Sequence, residues 1–135
     1  MSVRTLGTED AYTVKWDSNL DLPVFKWKRF VAGDEFREYS RRFMEIIADR
    51  GAEKYIDDTR EITAHDDADK EWLAENWVLQ LVEHGVRRGA GVYGESTIAA
   101  MEMENVEENM SAIHPDYEFR VFSTEEEAKD WLATA

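Results

Sequence analysis

Asp57, Asp58 and Arg60 form the charged cluster of this chain that is best placed for chemistry. They lie at the end of a predicted parallel strand, Lys54–Thr59, and open α/β sheets bind ligands at the carboxyl ends of such strands. Two carboxylates can serve as general acid and base, but adjacent strand residues point to opposite faces of the sheet. We therefore treat Asp58, Thr59 and Arg60 as candidate ligand-binding residues, with an Asp–Arg ion pair that also caps the next helix as the structural alternative.

Other residue types with catalytic or metal-binding chemistry lack the spacing that this chemistry needs. His65 precedes Asp66 and Asp67, and His84 and His114 lie far away in the chain, but no HExxH-like ligand pattern occurs. The later glycines do not form a phosphate loop, and no serine stands in a GxSxG turn. The sequence thus predicts no metal, no cofactor and a protein that is not an enzyme, with an enzyme at the Asp58/Arg60 edge as the alternative.

Tryptophans and methionines supply a second kind of candidate site. Trp72 and Trp77, with Met101 as part of an adaptable lid, could line an apolar pocket and bind a lipid-like or otherwise apolar small molecule. Aromatic residues at helical spacing also form ordinary cores. A pocket and a plain core therefore both remain open for these three residues.

The charge of the chain excludes several partners. Thirty acids and sixteen bases give a net charge of −14, and residues 53–135 hold twenty-one of the acids but only seven of the bases. Such a surface repels phosphates, which argues against nucleic acid even though bases flank Trp27. The composition is typical of a protein from a salt-rich cytoplasm, with an ordinary acidic protein as the alternative.

Residues 54–93 are predicted to form one βαβ unit that positions these candidates. Strand Lys54–Thr59 is followed by an amphipathic helix from about Asp66 to His84, then by Gly85 as helix stop and by strand Val86–Tyr93. Two glycines inside the second strand would weaken it unless a large side chain packs against them. We expect a neighbouring Trp in that place.

The remaining pattern completes a single domain over residues 1–135. We expect a flexible N-terminus over residues 1–10. The predicted elements after it are a hairpin of strands Ala11–Trp16 and Leu22–Ala32, a helix from Gly33 to about Asp49, a short or broken helix in Thr97–Met110, a strand Tyr117–Phe122, and a helix that begins at Ser123-Thr124 and ends in Trp131-Leu132. The predicted fold class is α/β, with a mixed sheet of about five strands and about four helices.

The absence of cysteine and of a long apolar run suits a soluble protein of the cytoplasm without membrane insertion. Residues 1–52 carry nine acids and nine bases and include the aromatic hairpin. Two copies of this part of the chain therefore repel each other less than two copies of the acidic remainder do. We therefore expect a homodimer.

A set of motifs in this chain recurs together in one family. The set comprises strand Tyr55–Arg60 with its Asp-Thr-Arg ending, Trp72 with Asn76-Trp77, Gly85-Val86, and Phe122 with Glu127-Ala128 and Trp131-Leu132. Over roughly Trp16–Leu132 the chain resembles small STAS/SEC14-like proteins of bacteria and archaea, which are related in fold to the sporulation anti-anti-sigma factor.

The resemblance implies a mixed sheet of four or five strands with helices packed largely on one face. It also implies two roles, a phosphorylation-controlled protein-interaction module and a binder of a lipid-like molecule. The switch families carry a phosphorylated Ser at the start of the helix after the central strand, whereas this chain has His65-Asp66-Asp67 there, with Thr59 and Thr63 as the nearest hydroxyls. We therefore expect a non-catalytic ligand-binding or protein-interaction module, with a regulatory phospho-switch partner as an alternative.

Overall fold

The computed structural model describes residues 3–8, 10–61, 67–95 and 103–134, with side chains given for residues 10–61, 68–69, 71–95 and 107–134. Its core is one six-stranded sheet in which the strands lie side by side in chain order. The strands are β1 (Val3–Thr8), β2 (Tyr12–Asp17), β3 (Leu22–Trp27), β4 (Lys54–Asp58), β5 (Arg88–Val92) and β6 (Glu118–Phe122).

The helices connect and cover the parallel strands. They are α1 (Gly33–Arg50), α2 (Asp67–Trp72), a π-helical segment (Leu73–Trp77), α3 (Val78–Glu83), α4 (Met103–Ser111) and α5 (Glu125–Leu132). The residues at both ends of the π-helical segment keep helical dihedral angles, so α2, this segment and α3 form one continuous helix, which we call the central helix. Four helical bodies therefore lie in the described part, as predicted.

The sheet is mixed. Strands β1, β2 and β3 pair antiparallel, whereas β3, β4, β5 and β6 pair parallel. The hairpin of β2 and β3, the βαβ unit and the α/β class are confirmed. Strand β3 ends at Trp27, earlier than the predicted Ala32, and Arg29 beyond its end pairs with Asp10 and Glu35.

Residues 3–8, within the segment 1–10 that is expected to be flexible, form strand β1. It pairs with β2 from Val3 opposite Asp17 to Thr8 opposite Thr13, with a register shift between Thr5 and Gly7. A bulge interrupts the alternation of side chains between the two faces, so a bulged edge strand shows no period in the sequence. This strand is the sixth, one more than the about five predicted.

The two faces of the sheet carry separate apolar clusters. We call the face covered by α1, the central helix and α4 the front face, and the face covered by α5 the back face. Phe25, Trp27, Tyr55, Phe119 and Val121 belong to the front cluster. The smaller back cluster consists of Leu22, Val24, Ile56, Ala90, Val92, Ala128 and Leu132. Three helical bodies on one face and one on the other agree with helices packed largely on one face.

Helix α1 depends on the central helix for its first turn. Residue Ala32 at its N-terminus offers no capping side chain, and instead the buried Asp69 carboxylate accepts the N–H of Gly33 at 3.0 Å. An acceptor at this place satisfies one of the donors that every helix start leaves free. Gly51 ends the helix with a positive φ of 64°, which favours glycine. Both ends of α1 are therefore well defined.

In the described part of the chain, none of the helices combines the length and the apolar character that crossing a membrane requires.

Candidate functional site

Asp57 lies on the front face at the carboxyl end of β4. It is opposite Phe25 on β3 and Gly91 on β5 in the parallel register. The indole N–H of Trp27, the last residue of β3, donates to Oδ1 of Asp57 at 3.0 Å. Trp27 itself is buried, whereas Asp57 is partly exposed. A partly exposed acidic residue thus lies within an apolar face, at the carboxyl ends of the parallel strands, where ligands of α/β proteins bind.

Three tyrosines lie near enough to this carboxyl group to be affected by its charge. The buried hydroxyls of Tyr55 and Tyr117 form a hydrogen bond of 2.7 Å. Partly exposed Tyr93 follows β5 on the same face, and the charge of Asp57 acts on all three phenols. We call Trp27, Tyr55, Asp57, Tyr93 and Tyr117 the Asp57 cluster.

The glycines of β5 make room for this cluster. A Cβ at Gly89 would lie 2.6 Å from the Tyr117 hydroxyl and from the end of the Tyr55 ring. A Cβ at Gly91 would lie 2.9 Å from Phe119 and 3.3 Å from Tyr93. The expectation that a large side chain packs against these glycines was right, but the expected Trp was wrong. Tyr and Phe fill the space because the front-face neighbours of the glycines on β4, on β6 and at the β5 end are of these types.

Two polar atoms of the cluster have no protein partner within the described residues. Oδ2 of Asp57 and the hydroxyl of Tyr93 take part in no hydrogen bond there. Nε of Arg37 is the one fully buried side-chain polar atom without a hydrogen-bond partner in that part, so Oδ2 of Asp57 and the Tyr93 hydroxyl are not fully enclosed by it. Polar atoms that converge on an apolar wall and keep free hydrogen-bonding capacity are what a small-molecule site requires.

The environment of Asp57 raises the pKa of its carboxyl group. Burial raises its pKa to about 7. The hydrogen bond from Trp27 acts in the opposite direction, and the charge of Asp58 adds to the rise. Burial also raises the pKa of Tyr93, with a further contribution from Asp57, so this phenol is neutral at physiological pH. The site therefore holds a carboxyl group that changes charge near pH 7.

Asp58, Thr59 and Arg60 have a different environment, because Asp58 points to the back face. Arg60 binds the fully buried Asp58 carboxylate at 2.8 Å and approaches Glu125 of α5 at 3.6 Å. Burial alone would raise the pKa of Asp58, but hydrogen bonds with Arg60 and Glu125 lower it. Thr59 is buried and donates its hydroxyl to the carbonyl of Val92 at 3.3 Å. The Asp–Arg pair named as the structural alternative is present, and it joins α5 to the sheet.

The aromatic candidates lie apart from each other. Trp77 is buried between Phe43 and Tyr55, with ring centroids 5.9 Å and 5.6 Å away, and its N–H donates to the carbonyl of Ser40 at 2.6 Å. Trp72 is partly exposed, with the guanidinium of Arg37 5.5 Å from its ring centroid. The guanidinium of Arg41 lies at 5.6 Å from the same ring. Met101 lies outside the described residues.

A cleft of about 410 Å³ opens at the opposite, amino-terminal end of the parallel strands. It is lined by Trp16, Leu20, Asp21, Arg50, Gly51, Glu53 and Lys54. Arg50 lies over the ring of Trp16 at 4.9 Å, and Lys54 donates to the carbonyl of Leu132 at 2.6 Å, so both bases already have partners. Elsewhere in the described chain, no three His, Asp or Glu side chains are close enough to hold a metal ion.

Asp57 is not among the candidate binding residues predicted from the sequence, and neither is Tyr93. The signal that could have found them is the alternation of side chains between the two faces of a strand. Tyr55 and Asp57 alternate onto one face of β4, as Gly89, Gly91 and Tyr93 do along β5. Two glycines opposite a Tyr and an Asp on the neighbouring strand indicate a place where large side chains need room. The hydrogen bond from Trp27 depends on the order of the strands in the sheet, which the alternation of side chains does not determine.

The fold has a counterpart among solved structures. A crystal structure of an uncharacterized DUF3478 family protein from Shewanella loihica, described as having a SpoIIAA-like fold, superposes with a TM-score of 0.56. The alignment covers 96% of this chain and 91% of that one at 14% sequence identity. The suspected STAS-like resemblance is thereby confirmed for the fold. No family model matches the chain, and no curated protein matches it.

Proposed function

We propose that this protein is a non-catalytic small-ligand-binding domain of STAS-like fold and that the Asp57 cluster is its binding site. The observation that carries the proposal is the free Oδ2 of Asp57, a partly exposed residue set among aromatic residues at the carboxyl end of the parallel strands. A ligand with an apolar body and a hydrogen-bonding head matches both parts of this surface.

The geometry favours binding at Asp57 over the other candidate sites. Asp58 and Arg60 neutralise each other, and Thr59 is bonded to the backbone, so this edge offers a ligand little free hydrogen-bonding capacity. Phosphorylation of Thr59 would require exposure of a side chain that is buried here. These contacts support a site on the front face rather than an enzyme or a phospho-switch on the Asp58 edge.

A second candidate function has one observation in its favour. A carboxyl group with a pKa of about 7 next to a phenol is suited to transfer protons at neutral pH. An enzyme of this kind would use Asp57 as the general base and would need a bound substrate within hydrogen-bonding distance of Oδ2. Turnover of any ligand found at the site would distinguish this candidate from a binder.

The test uses the indole N–H signal of Trp27, which reports directly on Asp57. Screening a library of small amphipathic compounds by ¹H–¹⁵N NMR should reveal ligands that shift this signal. The variant Asp57→Asn should abolish the response, because it removes the charge while keeping the shape, and Asp49→Asn on the exposed side of α1 is the matched control. Ligands that bind without moving the Trp27 signal, or that bind Asp57→Asn equally well, would refute the proposal.

A further inference from the structure

The Asp57 carboxylate lacks a basic partner. The titratable groups that interact with it in the described residues are Asp58 on its own strand and the phenols of Tyr55, Tyr93 and Tyr117. None of these is a base. A carboxylate in an apolar setting is normally paired with a cation or with several donors, because an unpaired buried charge is costly.

The nearby basic side chains are engaged elsewhere. Arg60, three residues after Asp57, binds Asp58 on the back face. On the front side, Arg37 lies 3.8 Å from Asp69 and packs with Arg41 on Trp72. The protein therefore supplies the negative charge of a pair without the positive one, and the free Oδ2 is the atom to which a cation would bind.

The surroundings also favour positive charge. Tyr93, a partly exposed aromatic residue, lies near enough for the charge of Asp57 to act on its phenol, and the faces of aromatic rings attract cations. The net charge of −14 raises the local concentration of cations and repels anions. A fatty acid would bring a second carboxylate to Asp57, which is the least favourable head group for this site.

We propose that the ligand of the Asp57 cluster is a protonated amine, whose ammonium N–H donates to Oδ2 of Asp57 while its apolar part lies on the aromatic surface. This inference rests on the proposed function, which requires only a hydrogen-bonding ligand at the same place. It narrows the ligand class from lipid-like molecules in general to cationic ones.

Proton linkage gives the inference a distinctive signature. Free Asp57 has a pKa of about 7, and an ammonium group stabilises its ionised form, so binding below that pH releases a proton. Alkylamines stay protonated up to a pH of roughly 10, as the lysine side chain does. Affinity should therefore rise about tenfold per pH unit below pH 6 and level off above pH 8.

Three ligands of equal chain length test the inference: hexylamine, hexanol and hexanoate. Each is titrated into the full chain at pH 6 and pH 8, with the Trp27 indole signal and calorimetry in two buffers of different ionisation enthalpy as readouts. Hexylamine should bind at least tenfold more tightly than hexanol at pH 8, hexanoate should bind weakest, and only hexylamine should release a proton at pH 6. Asp57→Asn should remove the preference for the amine, whereas Asp49→Asn should keep it.

The outcomes separate the two proposals. If hexanol or hexanoate shifts the Trp27 signal as strongly as hexylamine does, or if amine binding releases no proton, the amine inference is wrong and the binding site stands. If hexylamine binds but leaves the Trp27 signal unchanged, the site is wrong as well. If none of the three ligands moves that signal and the wider library also fails to move it, both proposals fall. The wild-type series alone decides these cases should Asp57→Asn unfold.

Discussion

Asp57 links the chemistry of the site to the stability of the fold. Its pKa is about 7 in the folded protein against an ordinary value of 3.8, so the folded state binds the proton more tightly than the unfolded chain. The stability that this group contributes is fully present below pH 3.8 and is lost as pH rises through about 7. Ionisation of Asp57 therefore opposes folding at neutral pH.

Asp57→Asn should accordingly stabilise the protein at high pH. We expect the variant to gain about 1–3 kcal/mol in free energy of unfolding at pH 8 relative to wild type, and little or nothing at pH 4. Urea unfolding at both pH values measures the difference, with Asp49→Asn as the control for loss of one surface charge. An equal effect of Asp57→Asn at pH 4 and pH 8 would mean that this carboxyl group titrates normally.

The Tyr55–Tyr117 pair shows how a buried polar contact depends on both partners. Removing one hydroxyl leaves the other without its 2.7 Å partner in a buried site, so Tyr55→Phe and Tyr117→Phe should each cost about 1–3 kcal/mol. The double variant should cost clearly less than the sum of the two. Thermal or urea unfolding of the four proteins gives the coupling, and strictly additive losses would show that the hydroxyls do not depend on each other.

Single residues were predictable where alternation decides their position. The sequence placed Asp57 and Asp58 on opposite faces, and the structure pairs one with Trp27 and the other with Arg60. The Trp27–Asp57 bond joins residues thirty positions apart. It arises only because β3 and β4 pair in parallel with Phe25 opposite Asp57, and this register cannot be deduced from either segment alone.

Strand β5 is the element on which the site is built. Its glycines accept the rings of Tyr55, Tyr117 and Phe119, so a methyl group at Gly89 would meet atoms at 2.6 Å. Gly89→Ala should therefore destabilise the protein by about 1–3 kcal/mol, with a lowered midpoint of thermal unfolding. Gly94→Ala is the matched control, since its nearest neighbour is a backbone oxygen at 3.9 Å. Similar melting temperatures for the two variants would contradict the close packing.

Elements with a strong period were predicted well, and the irregular ones were not. The apolar stripe of α1 and the Thr124 cap of α5 gave these helices nearly the bounds observed. The bulged strand β1 shows no such period, and the π-helical turn at Leu73–Trp77 lies inside a helix that the apolar pattern predicted without this turn. A π-helical turn is a feature that often lies near functional sites.

At the scale of the whole molecule, the acidic residues are unevenly distributed along the fold. One sheet spans the described chain from β1 to β6, but the excess of acids lies after residue 52. This part supplies β4, β5, β6 and the helices that follow them. Some of its acids have partners, such as Glu125 with Arg60 and Glu118 with Arg88 and Arg120. Seven bases cannot pair with twenty-one acids, so repulsion between carboxylates opposes the folded state.

Salt should therefore stabilise this protein. At 0.01 M salt the Debye length is about 30 Å, which lets charges interact across a domain of this size, and at 1 M it is about 3 Å, so that only adjacent charges still interact. If screening is the cause, the midpoint of thermal unfolding at neutral pH should rise between 0.01 M and 1 M KCl and then level off. A continued rise up to 3 M would point instead to hydration of the acidic surface, as expected for a protein from a salt-rich cytoplasm. A midpoint that is flat or falls between 0.01 M and 1 M would show that the acids are compensated within the fold, because neither screening nor hydration lowers the stability of an acidic surface.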